Sequence, residues 1–489
     1  MQHRAWEGVD PALRKMVEGQ LYPFQREAVE RLGPRALLCH DPGLGKTRTA
    51  LAALVAYRAF PALVVAPLSV LGFWEEEAER VLRGTGIEIK VIRGKEEISG
   101  EKILALTNPE QLKRIIGKDW KGLILDESHL YKNAALKFTT RDGTRTVEYR
   151  TQRVELARRI ARRCRMVWLL TATPDPNYNP EELVPQLDIL GALWTVFGGR
   201  SAFLQQYGRM EKVRIRGQVR WEVTGWRSGA GRAEAFKTLE SKGLLDRRTK
   251  AEVAPWLPPI VQSILPVRMQ PGEWDRYRRI RREVLEEWEA QVKGLDPERQ
   301  KEELRRRMNA WAAVSLLKMR KFLEEQKVAW AENMKEAVEG PAVWFVHFTE
   351  VAKALGDVLA APVIIGDTPD RERARAVQAF VGGQIRHIVL GIRAGGVGLS
   401  FPNAQIAVFL GADWSPGVMA QAISRIHRIN REVPEPPTVW HVVMTGPNGQ
   451  RTVDHHIRMV AGRKEWEAAA PGILLELLMQ EEHADSGSG

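Results

Sequence analysis

The sequence predicts an α/β protein made of two doubly wound units, with a small β-hairpin insertion and a charged helical insertion. Three observations predict it. At 489 residues the chain is too long for one hydrophobic core. Short apolar runs alternate with helical patterns twice, once up to Leu170 and again from Val343. Two chemically loaded loops, one at Lys46 and one at Asp126-Glu127, fall at the carboxyl ends of expected strands, where open parallel sheets collect ligands.

Residues 18–32 read as a helix entry, with Tyr22-Pro23-Phe24-Gln25 followed by Ala28 and Leu32 at helical spacing. Gln25 lies just ahead of the first loaded loop. Two readings stand for it: a reader of the adenine edge, or a polar surface residue. Ala36 to Cys39 is a short apolar strand. His40-Asp41-Pro42-Gly43-Leu44-Gly45-Lys46-Thr47 follows, and then a helix through Ala59. Strand, glycine-bearing loop, Lys-Thr and helix make a phosphate cradle. Gly43 and Gly45 let backbone N–H groups face the phosphates, and the helix N-terminus adds positive potential. Lys46 reaches the β- and γ-phosphates, and Thr47 ligates Mg²⁺. His40 stands where the first glycine usually does.

Ala62 to Ala66 is the second strand and ends in Pro67-Leu68-Ser69; Trp74 to Val81 then reads as a helix. Ile103 to Thr107 is a further strand, followed by Asn108-Pro109-Glu110. Gly122 to Leu125 ends in Asp126-Glu127-Ser128-His129. ATP hydrolysis uses such a strand-end pair: one carboxylate holds Mg²⁺ and the next orients or deprotonates the attacking water. Met166 to Leu170 is another strand, ending Thr171-Ala172-Thr173-Pro174. Its hydroxyls either sense the γ-phosphate or mark a plain strand exit.

From Gly191 to about Val253 the pattern changes. Arg214 to Trp226 alternates as a basic β-hairpin turning near Gly217, with Trp221 and Trp226 as candidates for stacking on bases. Arg247-Arg248-Thr249-Lys250 precedes Pro255, Pro258, Pro259 and Pro266, which read as an inter-domain connector. Residues 272–337 are charged and helical. Their arginines, Arg278 to Arg282 and Arg305 to Arg307, either meet phosphates or line solvated helix faces.

The second α/β unit starts at Val343 to Val346 and continues through Val363 to Ile365 and the helix Arg371 to Phe380. Then come Ile388 to Leu390, the glycine segment Arg393 to Ser400, Ile406 to Leu410, Asp413-Trp414-Ser415-Pro416, and a helix from Gln421 to Arg428. This unit has no phosphate loop of its own. Arg425 and Arg428, three apart, share a helix face. They either complete a site built by the first unit or form a basic surface stripe. His441, Asp454, His455 and His456 match no standard metal spacing.

A net charge of +12 and a pI near 9.7 favour a polyanionic partner, nucleic acid first. Two cysteines, Cys39 and Cys164, exclude a disulfide scaffold and a cysteine zinc site. No uncharged apolar run reaches membrane-spanning length, and Met1 to Pro11 has no signal-peptide core, so a soluble intracellular protein is expected. The tail His483 to Gly489 reads as disordered.

Taken in order, these strings resemble the superfamily-two helicases, and within them the Swi/Snf-type DNA-dependent ATPases. The resemblance rests on Asp41 to Thr47; Ala66 to Ser69 with Trp74; Asp126 to His129 with Lys132-Asn133; Leu170 to Pro174; Arg247 to Lys250; Arg393 to Leu399; Asp413 to Pro416; and Gln421 to Ile429. It runs from about residue 18 to about residue 460. It implies two RecA-like lobes with ATP and Mg²⁺ in the cleft. Gln25 falls at the adenine-reading position, and Gly43, Gly45, Lys46 and Thr47 hold the phosphates and Mg²⁺. Asp126 serves the metal and Glu127 the water, while Gln421, Arg425 and Arg428 complete the site from the second lobe. Ser69, Thr107, Asn108, Gly396 and Trp414 fall in or near segments that in the family touch the nucleic-acid backbone or couple it to ATP. His40, Pro42 and Ser128 depart from the family pattern without removing a catalytic group.

The expected division is lobe 1 at 1–190, a hairpin insertion at 191–255 that returns to lobe 1, a connector and helical region at 256–337, lobe 2 at 338–480 and a tail at 481–489. No appended chromatin-reading, zinc or nuclease module is visible, which suits a compact prokaryotic or viral motor acting in the cytoplasm. Three functions compete: a duplex-DNA translocase that remodels DNA or protein–DNA complexes, a strand-separating helicase on forks or RNA, and a non-enzymatic DNA-binding scaffold. The partner is DNA, double-stranded or branched, with no membrane. Lys46, Asp126, Glu127, Arg425 and Arg428 together argue against the scaffold.

Overall fold

The structure, a computed structural model, describes residues 5–94, 96, 98–132, 135–139, 146–150, 152–176, 178–215, 218–292, 301–392, 399–413, 416–429, 431, 433–461 and 478–479. The chain divides into two compact units. The first is Met1–Glu211 with Trp221–Pro255; the second is Trp256–Gly489, with Lys212–Arg220 counted in it.

The first unit is built on seven parallel strands: β1 (Arg35–His40), β2 (Ala62–Val65), β3 (Glu88–Ile92), β4 (Ile103–Thr107), β5 (Gly122–Leu125), β6 (Met166–Leu170) and β7 (Leu245–Arg248). Their order in the sheet is β7-β1-β6-β5-β2-β4-β3. The inner strands β2, β4, β5 and β6 are buried at every residue, as strands covered by helices on both faces must be. That is why they read as unbroken apolar runs. The edge strand β3 has a mixed exposed pattern and gave no such signal.

The order β1-β6-β5-β2 has one consequence for chemistry. The four segments leaving these strands at their carboxyl ends are His40–Thr47, Thr171–Pro174, Asp126–His129 and Ala66–Ser69, so they lie side by side along one edge of the sheet. Strand register fixes the alignment: Leu37 pairs with Leu169, Val167 with Leu123, and Leu125 with Val65.

The second unit carries six parallel strands: β8 (Val261–Arg268), β9 (Ala342–Val346), β10 (Val363–Ile364), β11 (His387–Gly391), β12 (Ile406–Phe409) and β13 (Thr438–Thr445). The order is β8-β13-β12-β9-β11-β10. Both units are therefore RecA-like α/β layers, as the alternation predicted.

Three expectations change here. The proline-rich stretch is more than a connector: Val261–Arg268 is an edge strand paired along its length with β13. Pro266 is tolerated because an edge strand has a side that needs no ladder donor. The arginine helix is shorter than predicted, ending at Ile423. Beyond it Arg425 N–H bonds the Ala422 carbonyl at 3.1 Å and Ile426 N–H the Ile423 carbonyl at 3.2 Å, a three-residue spacing that tightens the turn. Trp226 is core, 4% exposed, with its indole N–H on Asp175 at 2.9 Å, so it offers no face to a base. Trp221 is 59% exposed. Strands Gly208–Ile215 and Gln218–Trp226 pair as a two-stranded sheet, and the expected turn at Gly217 lies outside the described residues.

Helices Pro271–Val292 and Lys301–Met334 fill the charged region. The second of these buries Arg320, Glu324 and Lys327. Glu324 accepts the N–H groups of His347 (2.7 Å) and Phe348 (3.1 Å), just where β9 gives way to the helix Thr349–Leu359. A phosphate would suit that position, because a helix N-terminus concentrates unpaired donors. Here the protein's own carboxylate fills it. Lys327 Nζ donates to the Leu410 carbonyl (2.6 Å) and pairs with Asp454 (2.7 Å). Asp454 is thus committed to an ion pair, and no cluster of three or more His, Cys, Asp and Glu side chains placed to hold a metal occurs among the described residues.

Candidate nucleotide site

The phosphate loop is shaped by Gly43 (φ 88°) and Gly45 (φ 75°), both in the left-handed region that glycine enters without a Cβ penalty. Gly45 is the N-cap of the helix Lys46–Ala56. A Cβ at Gly45 would lie 2.4 Å from Gln25 Nε2. Lys46 Nζ folds over the loop and donates to the His40 carbonyl at 2.7 Å. Burial pulls its pKa down, and the carboxylates of Glu127 and Asp126 pull it back up. Lys46 is therefore already inside the field of the strand-end pair. Thr49, not Thr47, turns its hydroxyl back onto the Gly45 carbonyl at 3.1 Å.

Gln25 braces this loop from beneath. It is buried; Nε2 donates to the Leu44 carbonyl (2.9 Å) and Oε1 accepts from Tyr22 N–H (3.0 Å). Each end of its amide thus takes a partner within the protein. Gln25 therefore holds the loop's shape, and burial removes the reading of it as a polar surface residue.

At the end of β5 each side chain has a distinct partner. Asp126 Oδ2 accepts from Trp74 Nε1 (2.8 Å), and Oδ1 accepts from Glu127 N–H (2.9 Å). Burial raises the Asp126 pKa and the adjacent Glu127 charge raises it further, while the Trp74 and Glu127 donors and Lys46 oppose them. Glu127 sits at φ 47°, ψ 51°, a left-handed conformation that costs a non-glycine residue on the order of 1 kcal/mol or more. Its Oε2 lies 3.2 Å from His129 Nδ1, which in turn is 3.1 Å from the Thr171 hydroxyl. Ser128 Oγ donates to Gln186 Oε1 at 2.9 Å, and Gln186 Nε2 donates to the Pro174 carbonyl at 2.6 Å. The carboxylate loop and the Thr171–Pro174 loop are thus joined twice.

Sequence reasoning missed Gln186, and it missed Asp246. Asp246, wholly buried on β7, bonds His40 and pairs with Arg31 and Arg248. Neither residue belongs to a loaded loop, so nothing local marked them.

The expected nucleic-acid contacts divide. Ser69 lies half-buried in the turn Leu68–Val70, next to Leu68, which is 52% exposed. Asn108 is half-buried at the N-cap of the turn Pro109–Gln111. Thr107 does not fit a direct contact: it is wholly buried, and its hydroxyl donates to the Ile92 carbonyl at 3.0 Å. Gly396 and Trp414 lie outside the described residues.

In the second unit Gln421 is half-buried on the helix Pro416–Ile423. Arg425 and Arg428 converge on one acceptor, the Leu399 carbonyl, at 3.1 and 2.7 Å. Burial pushes the Arg428 pKa down to about 10, so it stays cationic at neutral pH. The two arginines thus act as a pair even though the helix ends before them.

A glycine loop, a helix-capped lysine and a strand-end carboxylate pair on a RecA-like sheet define the phosphate-loop class of nucleotide-binding folds. Family comparison then places the chain within that class. The SNF2-related domain matches residues 24–326 and the helicase conserved C-terminal domain matches residues 324–430; the chain belongs to the SNF2-related family.

Among curated relatives, DNA annealing helicase and endonuclease ZRANB3 of Bos taurus is 27% identical over 449 residues, covering 85% of this chain and 38% of the relative. SWI/SNF-related matrix-associated actin-dependent regulator of chromatin subfamily A-like protein 1 of Xenopus laevis is 28% identical over 430 residues, covering 84% and 41%. The Sulfolobus solfataricus SWI2/SNF2 ATPase core in complex with dsDNA aligns over 98% of this chain and 97% of that one, at 18% identity and a TM-score of 0.38. The chain spans about two fifths of the length of these two curated relatives.

These relatives overturn one expectation. A prokaryotic or viral motor of the cytoplasm was expected, but the relatives come from cattle, Xenopus, Drosophila and human, and several are named regulators of chromatin. Among the described residues no helix is long and apolar enough to cross a membrane.

Proposed function

We propose that this protein is an ATP-dependent motor that hydrolyses ATP on binding DNA and translocates along duplex DNA, remodelling DNA structures or protein–DNA complexes. One observation carries the reading. Four neighbouring strand ends bring the lysine loop, the carboxylate pair, Thr171 and the Ala66–Ser69 turn to one sheet edge, so nucleotide chemistry and a surface turn share a frame. The names of the relatives, which speak of DNA and chromatin, agree with it.

In this reading the N–H groups around Gly43 and Gly45 cradle the phosphates, and Lys46 takes the β- and γ-oxygens. Asp126 and Thr47 are hard oxygen donors that suit Mg²⁺, and the clustered charge of Asp126 and Glu127 favours a cation there. Bound Mg²⁺ supplies charge neutralisation on the phosphates. Glu127 orients and deprotonates the attacking water. His129, between Glu127 and Thr171, reports the state of that carboxylate to the next loop. In the second unit, Gln421, Arg425 and Arg428 are the candidate nucleotide contacts of this reading. Ser69 and Asn108, with Gly396 and Trp414, grip the DNA backbone. The grip is electrostatic, so binding is salt-sensitive and indifferent to sequence.

An ATPase assay with blunt duplex, single-stranded DNA, forked DNA and RNA tests this. Stimulation by blunt duplex, and not by single strands or RNA, is the expected result. Unwinding of forks that needs a loading strand would favour the strand-separating alternative, and a rate indifferent to every polymer would remove the motor reading.

A further inference from the structure

Asp126 is fastened at both ends of a single surface turn. Its backbone N–H donates to the Val65 carbonyl at 2.9 Å, at the last residue of β2. The chain then leaves the sheet through Ala66 and Pro67, turns at Leu68–Val70, and enters the helix Leu71–Val81. On the first turn of that helix Trp74, with no solvent exposure, sends its indole N–H back to Asp126 Oδ2 at 2.8 Å. The turn that carries Ser69 and the exposed Leu68 thus begins and ends at the same aspartate.

We infer that Trp74 is a positioning residue that couples occupancy of the Leu68–Val70 turn to the metal-holding geometry of Asp126. The inference rests on the motor reading above, and it names how DNA would regulate that site.

The mechanics follow from packing. A fully buried indole cannot swing independently; it moves with its helix. Ser69 and Trp74 are separated by one short turn and the first helical residues, a stiff connection. A shift of the helix by about 1 Å takes a 2.8 Å hydrogen bond beyond its working range. Asp126 Oδ1 is held separately by the Glu127 N–H, so losing the Trp74 donor lets the carboxylate rotate about that remaining contact. The turn therefore has two settings for Asp126: pinned by both donors, or pinned by one. A ligand on the turn that favours the first setting raises affinity for the metal–nucleotide pair.

Trp74→Phe removes the donor and keeps an aromatic ring. β-(3-benzothienyl)alanine at position 74 keeps the bicyclic shape and removes only the N–H. In the full chain, a fluorescent ADP analogue is titrated with and without Mg²⁺, and hydrolysis is measured with and without duplex DNA. In both variants the Mg²⁺-dependent gain in ADP affinity is expected to fall about tenfold, while Mg²⁺-free affinity holds. The ratio of DNA-stimulated to basal rate falls by a similar factor, and KM for ATP rises more than kcat falls.

A wild-type chain that DNA does not stimulate overturns the motor reading itself. If wild type is stimulated and the benzothienyl variant retains both the Mg²⁺ gain and the stimulation ratio, Trp74 is only packing and the coupling is refuted. Should Trp74→Phe lower the melting temperature, the isostere decides.

Discussion

Asp246 Oδ2 accepts a hydrogen bond from His40 Nε2 at 2.5 Å, and neither side chain is exposed to solvent. Burial and the nearby cations Lys46, Arg248 and Arg31 hold the imidazole well below its ordinary pKa, so it is neutral and donates through Nε2–H. The charge of Asp246 is shared with Arg31 and Arg248. One residue on, Asp41 accepts the Lys250 N–H at 2.9 Å and donates its own N–H to the Arg248 carbonyl. The start of the phosphate loop is thus clamped to β7. His40, where a glycine is usual, belongs to that clamp. Breaking a buried charge pair costs about 3–5 kcal/mol when one partner is left uncompensated. Asp246→Asn should lower the melting temperature by about 10 °C and weaken nucleotide binding with it. Calorimetry and an ADP titration check both.

Glu127→Gln keeps the shape of the side chain and removes its basicity. Hydrolysis should fall by about 10²–10⁴, while ATP binding stays within a few-fold of wild type. Single-turnover hydrolysis alongside equilibrium binding separates the two. Unchanged turnover would remove Glu127 as the base.

Thr171→Val replaces a hydroxyl that meets His129 and accepts the Thr173 N–H at 3.1 Å. The orphaned N–H costs about 1–3 kcal/mol. If the His129 relay couples the loops, DNA stimulation should drop further than nucleotide affinity does. Stimulation ratios measured beside thermal melts read both effects.

Glu324 gives a pH prediction. Burial raises its pKa to about 7, against the N–H groups of Phe348 and His347 and the cations Lys327 and Arg320. The folded protein therefore holds this proton more tightly than the unfolded chain does. Its contribution is fully present below the unfolded carboxyl pKa and is lost as pH rises through about 7. The span corresponds to stability on the order of 3 kcal/mol. Glu324→Gln should flatten the fall in stability between about pH 5 and pH 7.5. Denaturant melts across that range test it; an unaltered pH slope would show that Glu324 titrates normally.

Arg425→Ala and Arg428→Ala should each lower kcat by about 10³ or more if the arginines stabilise the transferring phosphoryl group. Both also hold the Leu399 carbonyl, so some loss of stability is expected. Lysine at either position keeps the charge but not the fork. Restored melting without restored kcat would separate bracing from catalysis.

Legibility tracked how local each signal was. Ile103–Thr107, Gly122–Leu125 and Met166–Leu170 were readable to the residue because inner strands are buried on both faces. Edge strands were not. Glu88–Ile92 is mostly half-buried and carries two charged residues, and Val261–Arg268 was masked by Pro266 and the prolines that precede the strand. Gly43 and Gly45 were legible because their positive φ is a property of glycine itself. The burial of Thr107 and Trp226 was not, because a threonine or tryptophan reads the same on either side of a surface.

The sequence alone determined the chemistry available: a lysine after a glycine loop, two adjacent carboxylates at a strand end, and two arginines near the end of the second unit. These depend on neighbours within a few residues, so composition and spacing expose them. Tertiary structure decided which groups hold that chemistry in place. Trp74 reaches Asp126 across 52 residues, Gln186 reaches Ser128 across 58, and Asp246 reaches His40 across 206. No periodicity spans such separations, because the contacts exist only once strand order has set β1, β6, β5 and β2 side by side and closed β7 against the loop.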